Sequence, residues 1–80
     1  MTTENNLREY TETRMKMYIE MIKRKTYTKE EEKQFYDNIM ELMSCLDYCF
    51  VELSMNGLQT LTEVKNMHAI IKNKNELNII

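Results

Sequence analysis

Apolar positions recur at helical spacing in three stretches of the chain. From about Thr3 to Lys25, residues placed 100° apart gather Leu7, Tyr10, Met15, Met17, Tyr18, Ile19, Met21 and Ile22 on one side. Glu9, Glu12, Thr13, Lys16, Glu20 and Lys23 fill the other. The apolar arc covers roughly half the circumference, where a simple surface helix needs about 100°. Such a face predicts more than one neighbour.

The second stretch opens with TKEE, where Thr28 and Glu31 have the spacing of a capping box and Glu30 and Glu32 suit the positive end of a helix. Phe35, Ile39, Leu42, Leu46, Cys49 and Leu53 then alternate steps of four and three, an a/d seam of nearly three heptads. Tyr36, Met43 and Phe50 flank it at seven-residue spacing. Asn56-Gly57 offers the left-handed stop that helix ends favour, with Leu58 placed to fold back. The pattern thus predicts one helix roughly 40 Å long. A third helix is expected from Thr60, where TLTE repeats the capping-box spacing through Glu63. Its stripe is Leu61, Val64, Met67, His68 and Ile71, after which KNKNELNII loses its period.

These elements predict an all-α fold: a long helical hairpin plus a shorter third helix packed back along the second. Residues 1–75 form a single helical domain, and residues 76–80 are a frayed or partner-docked tail with Ile79 and Ile80 as its apolar end. A short third helix leaves part of the second uncovered, and the wide face of the first wants further cover. Dimerisation into a helical bundle follows as an expectation, with Tyr10, Arg14, Met17, Tyr18 and Met21 at the interface.

Composition narrows the class. Eighty residues make one small domain, 42% hydrophobic and 30% charged, with no proline and one glycine. A β-rich chain would need more turn residues than that. No apolar run reaches bilayer length and the start lacks a basic-then-apolar leader, so a cytoplasmic protein without membrane contact is expected. Richness in Met, Asn, Lys and Ile hints at an AT-rich source such as a virus or mobile element.

Candidate chemistry is sparse. Cys45 and Cys49 form a single C-x-x-x-C, whereas structural zinc wants four ligands, so no metal or cofactor is expected. The seam places Cys49 inward and Cys45 on the polar side, as ordinary helix residues. His68 and Asp47 would lie level if the turn centred near Gly57, giving a buried polar pair that fixes register rather than a general base. With no nucleophile and no glycine-rich loop, an enzyme is not expected. Lys23 to Lys25 read as a cationic helix end. Arg14, set among apolar neighbours, reads as the partner of a carboxylate across an interface.

Two functional readings remain. Net charge is −2, yet it is uneven: residues 1–27 carry +2, residues 28–56 carry −5 and residues 57–80 carry +1. Asp37, Glu41 and Glu52 fall on the outer side of the second helix with Tyr48 among them, an acidic strip suited to a basic groove on a larger protein or complex. A small interaction module, acting as a viral or mobile-element inhibitor or regulator of a host protein, fits that strip. The alternative is a helix-turn-helix over residues 50–72 that binds nucleic acid, with Gln59, Thr60, Thr62, Lys65 and Asn66 facing the bases.

Overall fold

The computed structural model describes the backbone of residues 3–77 and the side chains of residues 6–74. It contains three helices in chain order: α1 (Thr3–Arg24), α2 (Lys29–Tyr48) and α3 (Met55–Leu77). The all-α expectation holds over these residues. They form a rod about 50 Å long and 20–23 Å across.

The capping box at the start of α2 is present as predicted. Thr28 Oγ1 accepts from the Glu31 amide at 3.1 Å, and the Glu31 carboxylate accepts from the Thr28 amide at 2.9 Å. The end of α2 differs from the heptad reading. The helix stops at Tyr48 with Cys49 as its cap, not at Asn56-Gly57. Phe50 takes the left-handed conformation (φ 57°), its amide bonding the Asp47 carbonyl at 3.1 Å. The Val51 amide reaches the Leu46 carbonyl at 2.8 Å, completing a Schellman motif. Leu46 and Val51, joined by that bond, are both buried. Burial of this apolar pair, the usual companion of the motif, explains why the seam stops short of Leu53. Cys49 is consequently exposed rather than inward, and Phe50 points to solvent.

The third helix is neither short nor packed chiefly along α2. It begins at Met55, and Thr60 lies inside it, its hydroxyl donating to the Asn56 carbonyl at 2.8 Å instead of capping. Ser54 is the cap, its hydroxyl accepting from the Gly57 amide at 3.0 Å. At 23 residues α3 is longer than α2, so the length mismatch expected between them is absent. It continues as helix to Leu77, past the point where fraying was expected; Ile79 and Ile80 lie outside the described residues.

The central element is α1, with α2 antiparallel on one flank and α3 running parallel on the other. Met15, Tyr18 and Ile19 of α1 meet Ile39 of α2 and Val64 of α3 in one buried cluster. The wide apolar arc of α1 therefore finds its two neighbours within the same chain. Tyr18 has no exposed surface to offer a second copy. Arg14 lies over the Phe35 ring at 4.4 Å, and its Nε donates to Asn38 Oδ1 at 3.3 Å, both partners belonging to α2 of its own chain.

Candidate functional site

Two features could carry function: a buried polar network and an exposed apolar end. The network centres on Glu32, one turn into α2 and only 4% exposed. Its Oε2 accepts the Tyr18 hydroxyl of α1 and lies 2.6 Å from His68 Nδ1 of α3. Tyr36 stacks on the His68 ring, centroids 3.6 Å apart and planes within 5°. His68 thus meets Glu32, not Asp47, which is exposed near the far end of α2. The expected pairing fails because the chain turns near Val51 rather than Gly57, shifting the register of α3 along α2. Burial, and then the Glu32 carboxylate that accepts its hydrogen bond, push the Tyr18 phenol well above its ordinary value.

A carboxylate-oriented imidazole can serve as a general base. Here Tyr36 covers one face of the ring, and both cysteines are remote. Cys45 is thirteen residues along α2 from Glu32, about 20 Å at helical rise. What the network does is join the three helices at one level through a single oxygen. Among the described residues no group of three or more His, Cys, Asp and Glu could hold a metal ion.

The second feature lies at the other end of the rod. The α2–α3 connection and the C-terminal half of α2 border an open groove of about 680 Å³. Its apolar lining is Met40, Met43, Leu46, Val51, Leu53 and Leu58. Asp47 and Glu52 are the charged residues in that lining, both acidic. Adjoining it in the chain, Tyr48 is 87% exposed, Phe50 95% and Met55 79%. The groove exists because of where α3 starts. The Glu12 carboxylate accepts from the Ser54 amide at 3.0 Å and from its hydroxyl at 2.9–3.0 Å. That anchor sets the first turn of α3 level with the third turn of α1, so the last two turns of α2 have no third helix beside them.

Residues singled out from sequence fall around this end in part. Asp37, Glu41 and Tyr48 are exposed on the outer side of α2, and Glu52 lies in the groove. Tyr10 and Met17 are about half exposed; Met17 and Met21 line a shallow depression of about 450 Å³ elsewhere on α1. Gln59, Thr62 and Asn66 share one exposed face of α3, with Lys65 at its edge and Thr60 turned about 100° away. Gly57 is helical rather than in a turn before that face. Phe50 and Met55 were missed as surface residues, because a heptad reading through residue 53 hides the chain reversal that exposes them. Phe50 followed by Val51, a bulky residue at a helix end before a β-branched one, gives no stop signal of the usual kind.

Among the described residues no helix is long and apolar enough to cross a membrane. Comparison with known proteins finds no matching family model, no similar curated protein and no similar solved structure.

Proposed function

We propose that this chain is a small helical interaction module that occupies a surface of a larger protein, as an inhibitor or regulator does. Its contact face is the α2–α3 connection and the adjoining acidic side of α2. The observation that carries this reading is Phe50. A left-handed backbone costs a non-glycine residue about 1–2 kcal/mol, and glycine is the usual occupant of that position. Phenylalanine adds a fully exposed ring, which helps neither the fold nor solubility. A residue that is poor on both counts is explained by a partner that buries it, since aromatic side chains are the common anchors of interfaces. Tyr48 and Met55 beside it extend the apolar surface, and Asp37, Glu41 and Glu52 supply charge for steering.

The test compares the wild-type chain with Phe50→Gly in affinity capture from source-cell extract, quantified by mass spectrometry. Phe50→Gly keeps the fold, so a specific partner should be retained by the wild type and lost by the variant. Charge reversal at Asp37, Glu41 and Glu52 should slow association with that partner and leave the melting curve unchanged. Identical capture by both chains overturns the reading. So does tight, salt-sensitive duplex binding abolished by Lys65→Ala, which would favour nucleic acid instead.

A further inference from the structure

We infer that the groove beside the last two turns of α2 receives a short amphipathic helix of the partner, apolar on one face and flanked by Lys or Arg. This rests on the interaction reading above and names the chemistry of what that face accepts.

Four observations converge on this occupant. The groove runs along α2 beyond the start of α3, because the Glu12 anchor starts α3 late. A helix laid there packs on the last turns of α2, beside the connection and Leu58. The walls are side chains of α2 and α3 together with the short connection at Val51, Glu52 and Leu53, whose Val51 amide is already bonded to Leu46, so an extended peptide would find little backbone to pair with, whereas a helix satisfies its own. The lining is rich in methionine, with Met40 and Met43 inside and Met55 exposed nearby. Unbranched, polarizable side chains remould around an incoming apolar stripe. Charge selects the sign. The charged lining residues Asp47 and Glu52 are both acidic, and the segment from residue 28 to residue 56 carries −5. Lysine or arginine beside the stripe meets those carboxylates, while glutamate there is repelled. At helical rise, the stretch of α2 from Met40 to Asp47 matches about two turns of partner.

The eight methionines make the test direct, since each methyl is a separate reporter. The probe is a synthetic amphipathic helix of about 14 residues built from leucine and lysine, with apolar positions at i, i+3, i+4 and i+7. It is titrated into the full chain carrying ¹³C-labelled methionine methyls, alongside a counterpart with glutamate for lysine. The Met40 and Met43 signals should move saturably while Met15 and Met17 stay in place. The glutamate helix should bind about tenfold more weakly. Leu58→Glu, at a half-exposed position, should remove the shifts and leave helix content unchanged by circular dichroism. Shifts centred on Met17 and Met21, equal affinity for both helices, or no saturable shift would each overturn the inference. A dimer that protects Met40 and Met43 without peptide would overturn it too, naming a second copy as the occupant. The failures are separable: unchanged capture by Phe50→Gly sinks the interaction reading, whereas unmoved Met40 and Met43 sink only the helix in the groove.

Discussion

The carboxylate of Glu12 on α1 occupies the space that a side chain at Gly57 on α3 would need. A Cβ built on Gly57 would lie 2.6 Å from Glu12 Cδ. In an ordinary capping box the third helical residue reaches back to the cap amide. Here that third residue is Gly57, which has no side chain, and Glu12 does the reaching from another helix. The only glycine in the chain serves close approach; its φ is not positive.

Gly57→Ala therefore has a sign that depends on Glu12. Alanine in place of helical glycine normally stabilises by about 0.5–1 kcal/mol. In the wild type that gain is offset by displacing Glu12 from Ser54, a cap worth about 1 kcal/mol. With Glu12→Ala already present, Gly57→Ala should show the full gain. A double-mutant cycle by urea melts should give a coupling of about 1 kcal/mol, and an additive cycle would dissociate the two residues.

Phe50→Gly should stabilise the fold by about 1 kcal/mol, because it relieves the left-handed strain and exposes no new apolar surface. Thermal melts of the two chains check this. A destabilised Phe50→Gly would mean that the ring packs on the chain itself, contrary to its 95% exposure.

Glu32→Ala should be among the most damaging single changes. It strips the Tyr18 hydroxyl and the His68 ring of their shared acceptor, at roughly 1–3 kcal/mol for each group left unpaired. Glu31→Ala, which loses one hydrogen bond of the exposed capping box, should cost about 0.5–1.5 kcal/mol. Urea melts should rank Glu32→Ala clearly below Glu31→Ala in stability.

Tyr18 gives the pH dependence. Its folded pKa lies above the unfolded value of about 10, so the protonated phenol is favoured in the folded state. That contribution is complete below pH 10 and is lost as pH rises beyond it, by up to about 1.4 kcal/mol per pH unit. Melts between pH 8 and 11 should show this decline, and Tyr18→Phe should flatten it. An equal slope in the two chains would place the Tyr18 hydroxyl in water.

The core offers a check on the rotation of α2. Leu46 is 1% exposed, so Leu46→Ala should cost roughly 2–5 kcal/mol, whereas exposed Glu41→Ala should stay within about 0.5 kcal/mol.

The helical class was legible from local pattern, since apolar periodicity and the scarcity of glycine and proline are properties of neighbours in the chain. The Thr28–Glu31 box was legible for the same reason, both partners lying within one turn. The end of α2 was not. The seam read through Leu53 because Leu46, Cys49 and Leu53 keep heptad spacing whether or not the chain stays helical. Burial of Leu46 with Val51 decided the stop, against the preference of Phe50 for a right-handed backbone. The start of α3 depended on Glu12, forty-two residues from Ser54, a distance at which no periodicity carries information. The stop at Val51 and the anchor at Ser54 together moved the turn away from Gly57, and the register change exchanged Asp47 for Glu32 as the partner of His68. The anchor also freed the last turns of α2 and so created the groove. Local periodicity specifies which face of each helix is apolar, but contacts between distant residues determine where each helix begins, and therefore what remains uncovered.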